Sequence, residues 1–422
     1  MRIGDLPLRT AVLNIYFPSL LMTMGQGLII PALPSIGASF GVSGALAAQI
    51  ITVQLIGRAG SLIPVGIMVD RWGSRPPMII GASLATASGL AAALAPNFAV
   101  IIASQLTWGI GMSMWMFGRE IAAFYMVRPD QRGRQMIALM GIGSTGNSIG
   151  PFLGGWLTDH AGISSMFFVY AATSALVLLI SLRHQDTHSQ QTRSRGGALR
   201  VGNVRDIHPF FRVTYVVLFL STFGQMARSQ VTNSMFPLYA QEQLGYSATT
   251  TGALFGIVGI VTFAMIVPTG LISDKMGRKW SSGGAAVFST IGFVALPFFS
   301  QVYALGGSLL IIGIANGLAM GAMTIYTYDI VPIHARGSLQ SMRRSIGEAG
   351  AMLAPVIAGA LAVAYSPGAA FWAFAPLHGL SAILLIFVAR ESLRSKRKAG
   401  APSEEEIAAG APGRGPAEPV RD

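Results

Sequence analysis

The sequence predicts an all-α membrane protein with twelve transmembrane helices in two pseudo-symmetric six-helix bundles around a central cavity. Three observations predict it. Of 422 residues, 52% are hydrophobic and only 11% are charged, where a soluble domain carries about a quarter charged. Twelve apolar stretches are each long enough to cross a hydrocarbon core of roughly 30 Å as a helix. And a short acidic-then-basic turn, Gly66-Ile67-Met68-Val69-Asp70-Arg71-Trp72-Gly73-Ser74-Arg75, returns 204 residues later as Gly270-Leu271-Ile272-Ser273-Asp274-Lys275-Met276-Gly277-Arg278-Lys279.

Composition narrows the classes further. There is no cysteine, which excludes disulfides, thiolate catalysis and cysteine metal sites. The net charge of +12 would suit nucleic acid if it were spread over a soluble surface, but its distribution follows topology instead. No cleavable signal is expected: Met1 to Arg9 is short and mixed, and the apolar run after it is too long for a signal core.

In order, the spans fall at about 10–30, 45–69, 77–95, 99–126, 135–157, 164–183, 211–237, 248–272, 281–300, 304–328, 339–363 and 370–389. Residues 1–183 form the first six-helix bundle, 184–209 a polar linker, 210–389 the second bundle, and 390–422 a tail. The tail is rich in Lys and Arg, then in Pro, Gly, Ala and Glu, a composition expected to be disordered. Arg58, Arg119 and Arg228 lie inside spans. The remaining Lys and Arg sit at the N-terminus, in the loops after even-numbered spans, at the start of span eleven and in the tail. The positive-inside rule therefore predicts both termini and the linker in the cytoplasm.

The repeat extends beyond the two turns. At the same offset, Gly41 and Ser43 match Gly245 and Ser247, and Gly109 matches Gly313. Arg132-Gly133 matches Arg336-Gly337, Pro151 matches Pro355, Gly146 matches Gly350 and Gly155 matches Gly359. Six spans repeating in order make parallel repeats about an axis along the membrane normal, which can rock around a shared cavity.

On these residues the chain resembles the major facilitator superfamily over all twelve spans. Gly66, Asp70, Arg71, Gly73 and Arg75 match that superfamily's loop 2–3 signature, with Ser74 where a basic residue is usual. Pro31-Ala32-Leu33-Pro34 followed by Phe40-Gly41-Val42-Ser43 is similar to its exit from the first helix. A carboxylate such as Asp70 or Asp274 at a helix end accepts hydrogen bonds from a neighbouring helix N-terminus and pairs with an arginine, here Arg71, Arg75 or Arg278. The resemblance implies a latch that holds an outward-facing state against Ser338–Arg344. The competing reading is a solvated charge at the membrane edge.

The most specific functional cue is Gly146-Asn147-Ser148-Ile149-Gly150-Pro151-Phe152-Leu153-Gly154-Gly155. Proline kinks the helix, and glycines at 146, 150 and 154 share one face that admits a neighbouring backbone. The spacing GxxxGPxxGG resembles the antiporter signature of the drug:proton exporter branch, which implies a hinge and seal between bundles. The overlapping GxGxxG at Gly141–Gly146 lacks the strand and βαβ context of a dinucleotide site. Gln105 stands where the family's helix-four arginine, implicated in proton coupling, is usual.

Charges at membrane depth face a partner or a watery cavity. Arg58, Arg119, Glu120, Arg228, Arg343, Arg344 and Glu348 have no charged counterpart at offset 204. Arg344 and Glu348, four apart, share a helix face. Glu120 and Glu348 are the proton-carrier candidates, against the alternative of static Arg–Glu pairs. Arg58, Arg119 and Arg228 are candidates for binding an anionic substrate. Gln26, Gln54, Gln225 and Asn316 are candidate cavity residues with Trp108, Trp115 and Tyr326. No metal site is expected, His184, Asp186 and His188 lying in a polar linker; His378 reads as a hydrogen-bonded structural histidine.

No nucleophile–base pair, metal cluster or phosphate loop is present, so no enzyme is expected, and no cofactor beyond a proton gradient as energy source. The resemblance implies a monomeric transporter in the plasma (bacterial inner) membrane. It exports small organic compounds, drug-like or metabolite, in exchange for protons by alternating access. Its partners are a small-molecule substrate, protons and the lipid bilayer, with no nucleic acid. The alternative is proton-coupled uptake of a small organic anion of carboxylate type.

Overall fold

The structure, a computed structural model, describes residues 2–3, 6–7, 12–125, 132–183, 204–332, 335–393 and 402–410. Apart from a two-stranded ladder of Arg2–Ile3 with Leu6–Pro7, the described residues are helical or connecting. The helices are α1 (Val12–Ser39), α2 (Gly44–Trp72), α3 (Arg75–Ala93) and α4 (Phe98–Tyr125). Arg132–Arg183 is helical except at Gly162, where φ is 77°; α5 precedes that break and α6 follows it. Then come α7 (Pro209–Gln243), α8 (Ala248–Ala264 and Ile266–Lys275, bent by 42°), α9 (Arg278–Phe298) and α10 (Val302–Ile330). The last are α11 (Arg336–Ala364), α12 (Pro367–Val388) and the short α13 (Glu404–Ala409).

Ten helical stretches are individually long and apolar enough to cross a membrane, and the bent α8 makes eleven. One of the ten, Gly141–Arg183, comprises two helices because of the break at Gly162. The twelve predicted spans are all present. Large apolar side chains such as Ile63, Leu179, Ile260, Val267 and Phe387 stand exposed along them. Such faces are stable only against lipid. The chain is a multi-pass integral membrane protein.

The internal repeat is visible in the backbone. Positive φ occurs at Gly41 (66°) and Gly245 (75°), and again at Gly73 (82°) and Gly277 (117°). Each pair stands at the repeat offset of 204. Such φ values are strained for any residue with a Cβ. Just after the first pair, Ser43 Oγ accepts from Leu46 N at 3.2 Å and Ser247 Oγ accepts from Thr250 N at 3.1 Å. Each caps a helix start, α2 in one half and α8 in the other.

The chain packs as two compact units that are not the two sequence halves. The first comprises residues 1–191, 230–263 and 355–370; the second comprises 192–229, 264–354 and 371–422. The boundaries cut α7, α8, α11 and α12 within their length, near Ser229, at the α8 bend, at Pro355 and after Ala370. The second unit has a core of Ile207, Phe211, Tyr215, Leu218, Tyr326, Ile330, Leu339 and Leu385. Tyr215 donates to Leu339 O at 2.7 Å within it.

The expected disorder of 390–422 does not hold at α13. Ser403 and Glu406 form a reciprocal capping box there, and Ile407 is buried in the core of the second unit beside Ile207. The physical reason is local: a capped turn presenting one apolar side chain to an existing hydrophobic core.

The backbone at Gly73 predicts a paired test. Gly73→Ala is expected to destabilise the purified protein by about 1–3 kcal/mol. Gly66→Ala, whose added Cβ meets nothing within 4 Å, is expected to be neutral. Thermal unfolding in detergent measures both, and equal effects would contradict the argument.

Candidate functional site

The run Gly146–Gly155 on α5 presents two faces, both within the first unit. Cβ atoms at Gly146, Gly150 and Gly154 would collide with α1 at Leu20, Met24 and Leu28 backbone. On the other face, a Cβ at Gly155 would strike the Ala248 carbonyl. From α8, Cβ atoms at Gly252 and Gly259 would strike Pro151 and Ser148. So α5 is pressed between α1 and the start of α8, backbone against backbone.

The repeat reproduces this contact at its weaker site. A Cβ at Gly359, the offset counterpart of Gly155, would meet Gln49 and Ala45 near the start of α2. Gln49 Nε2 donates to Pro355 O at 3.1 Å. Thus α11 ends on the start of α2 as α5 ends on the start of α8.

One contact of this interface had no signal in the sequence. Asp159, at the end of α5, accepts from Ala248 N at 3.2 Å through Oδ1 and from Thr249 N at 2.7 Å through Oδ2. It caps the first turn of α8 from 89 residues away, where the helix dipole favours a carboxylate. Burial pushes the Asp159 carboxyl up. Hydrogen bonds from Thr249, Ala248 and Ser247 outweigh it and hold the group below the usual carboxylate range.

The first unit also holds a cavity of about 310 Å³ lined by Gln26, Gln54, Arg58, Trp108, Gln230 and Asn233, among others. Gln26, Gln54, Arg58 and Trp108 were expected there; Gln230 and Asn233, late in α7, were not. A neighbouring cavity of about 250 Å³ is lined in part by Gln54, Gln105, Trp108 and Tyr170. Gln54 Nε2 donates to Gln105 Oε1 at 2.8 Å.

The second unit holds a cavity of about 320 Å³, whose lining includes Ser221, Gln225, Arg228, Ser282, Ser289 and His378. Arg228 is 3% exposed. Its Nη1 donates to Ser289 Oγ at 2.5 Å and its Nη2 to Asn316 Oδ1 at 2.6 Å. The reading of His378 as a hydrogen-bonded residue fails at Nε2, which has no partner among the described residues. Its ring meets Phe293 edge-on with centroids 4.9 Å apart, so packing holds the ring and leaves that nitrogen free.

The other expected charges are placed apart from these three cavities. Arg119 pairs with Glu120 at 3.5 Å and lies 5.4 Å from the Trp115 ring centre. Arg344 and Glu348 form the expected i, i+4 pair at 3.8 Å, with the arginine mostly exposed. Tyr326 is packed in the second unit's core and donates to Arg390 O at 2.5 Å.

At the repeated turns, the Asp70 carboxylate and the linker residues His184, Asp186 and His188 lie outside the described residues. Arg71 is exposed, and Arg75 donates to Leu182 O at 2.8 Å. The second-half turn closes on its own unit. Arg278 bonds Asp274 at 2.7 Å and Asp329 at 3.2 Å, and Glu391 accepts from Arg278 N and Lys279 N at 3.0 and 3.2 Å. Asp329 and Glu391 were not foreseen, being distant in sequence.

The family comparison decides what carries these features. The model of the Major Facilitator Superfamily matches residues 15–264 and 218–417. The chain belongs to the Major Facilitator Superfamily. Among its relatives is Multidrug resistance protein 2 of Bacillus subtilis (strain 168), 25% identical over 61% of this chain and 65% of that protein, just under two thirds of its length. Multidrug resistance protein 1 of the same organism is 24% identical over 80% of this chain and 86% of that one. Among solved structures, a D-xylose–proton symporter superposes with a TM-score of 0.74 at 17% identity, covering 93% of this chain and all of that one. The superfamily's members move solutes, and the chain is a membrane transport protein rather than an enzyme.

The Arg278 network predicts an asymmetry. Asp329 is 29% exposed and Asp274 is 73% exposed. Asp329→Ala is therefore expected to cost about 1–3 kcal/mol, and Asp274→Ala about 0–1 kcal/mol. Thermal unfolding of the two variants checks the order, which equal costs would contradict.

Proposed function

We propose that this chain is a secondary active transporter of the plasma (bacterial inner) membrane, with both termini cytoplasmic. It exports small organic compounds in exchange for protons by alternating access. The observation that carries the reading is the two-faced packing of Gly146–Gly155 between α1 and the start of α8. A seal made of backbone contact excludes substrate and water on one side and can separate as a unit. Similarity to proteins named for multidrug resistance supports export. Residues 1–183 and 210–389 are then the moving halves. Asp70, Arg71 and Arg75 form a latch on the basic side, and Glu120 and Glu348 are the proton carriers. The chain works as a monomer.

A second reading, proton-coupled uptake of an organic anion, is favoured by one observation: Arg228, a buried cation with no carboxylate among its hydrogen-bond partners. Inside-out vesicles separate the two. Accumulation of a dye such as ethidium on imposing a proton gradient, abolished by Glu120→Gln with Glu348→Gln, is expected for export. Anion accumulation only in right-side-out cells would overturn it.

On this reading Asp159 is a clasp on the side opposite the basic loops. Its carboxyl is held low, so the clasp is complete above the ordinary carboxylate pKa of about 4. It is lost only as pH falls through the lowered folded value. State populations are therefore expected to show no Asp159-dependent change between about pH 6 and 8. Asp159→Ala removes a helix cap worth about 1 kcal/mol, roughly a fivefold shift toward separation of α5 from α8. Spin labels on the α5–α6 and α7–α8 turns, in a chain with no cysteine of its own, would measure the distance distribution. An unchanged distribution in Asp159→Ala would remove the clasp.

A further inference from the structure

Among the described residues of the second unit, Arg228 and Arg343 are buried, and they differ in one respect. Arg343 spends all three guanidinium nitrogens on neutral partners. Its Nε bonds Gln340 at 3.4 Å, its Nη1 Thr222 at 2.8 Å and its Nη2 Thr324 at 3.1 Å. Arg228 uses Nη1 and Nη2 on Ser289 and Asn316, while its Nε has no partner. A buried guanidinium left with an open donor is costly. Helix geometry alone does not require it.

The open donor does not stand alone. His378, 2% exposed, leaves Nε2 unpartnered, and the hydroxyls of Ser221 and Ser282 are likewise buried and unpartnered. All four residues line the same cavity of about 320 Å³. None of its lining residues is acidic. Ala285, Ala286, Ala319, Met323 and Leu385 supply the apolar part of the wall.

We propose that this cavity is a carboxylate-binding subsite, in which Arg228 Nε, His378 Nε2 and the Ser221 and Ser282 hydroxyls receive the carboxylate of an organic acid. The inference rests on the reading of the chain as a transporter of small organic compounds, and it names the substrate class at one place. A planar guanidinium already fixed by Ser289 and Asn316 presents its remaining N–H at no further ordering cost. With its proton on Nε2, a neutral His378 donates to the same anion. The alanines and Met323 then pack an apolar or aromatic body beyond the carboxylate. Arg119 and Arg344 offer no such site, because each already faces a glutamate.

The test is direct binding to the purified full-length protein by titration calorimetry at constant chloride, with 1-naphthoate against its neutral isostere 1-naphthamide. Wild type is expected to bind the carboxylate about tenfold or more tightly than the amide. Arg228→Gln should bring the two to parity. Asn316→Asp keeps the guanidinium but supplies an internal carboxylate in its place, and it should also abolish the preference; it stands in if Arg228→Gln does not fold. Parity in wild type, or a folded variant of either kind that keeps the preference, would overturn the proposal. The assay needs no transport. Naphthoate selectivity without flux in vesicles would remove the transporter reading and leave the site, whereas flux without selectivity would do the reverse.

Discussion

Everything in the first unit depends on how closely two helix backbones can approach in a solvent that offers no hydrophobic drive. Lipid tails are as apolar as leucine, so helices associate through dispersion contacts and hydrogen bonds. Dispersion falls steeply with a gap of even half an ångström. Glycine is what allows the approach. At Gly155 and Gly252 a single Cβ would strike carbonyl groups of the neighbouring helix. The same constraint places Pro151: its ring packs where Gly27 leaves room on α1.

On the proposed transport cycle this contact has to be separable. Asp159 adds direction to it. Its carboxylate meets the α8 amides only when α5 and α8 are together, so it biases one arrangement without welding it. The Arg278 network does the opposite work. With two carboxylates on the side chain and Glu391 on the backbone, it ties α8, α9, α10 and the chain after α12 into a single body.

What the sequence made legible was whatever depends on local periodicity. The twelve spans follow from hydropathy. The glycines at 41, 73, 245 and 277 carry the repeat because positive φ demands them. Arg344 and Glu348 pair because four residues is one turn of helix. Contacts made across sequence distance left no trace. Ser289 and Asn316 lie 61 and 88 residues from Arg228, so the three arginines Arg58, Arg119 and Arg228 looked alike. Asp159 carried no sequence signal, its partners lying 89 and 90 residues away. The tail is a different kind of miss. Ser403-Glu404-Glu405-Glu406 spells a capping box before Ile407, a local signal that the overall composition of residues 390–422 outweighed.

The repeat therefore governs backbone, and departures from it mark where chemistry differs between the halves. The first unit's cavities carry several amides beside Arg58 and apolar side chains, and Gln105, where the family's arginine is usual, is satisfied by Gln54 at 2.8 Å. Two neutral amides hold each other at little electrostatic cost. The second unit places an arginine at 3% exposure among serines and one asparagine, with no acid along the cavity wall. Desolvating a cation that way is costly by several kcal/mol even after relaxation, and apolar residues of similar size would avoid the cost altogether. The open donor at Arg228 Nε calls for an acceptor, and on the carboxylate proposal an organic acid supplies it.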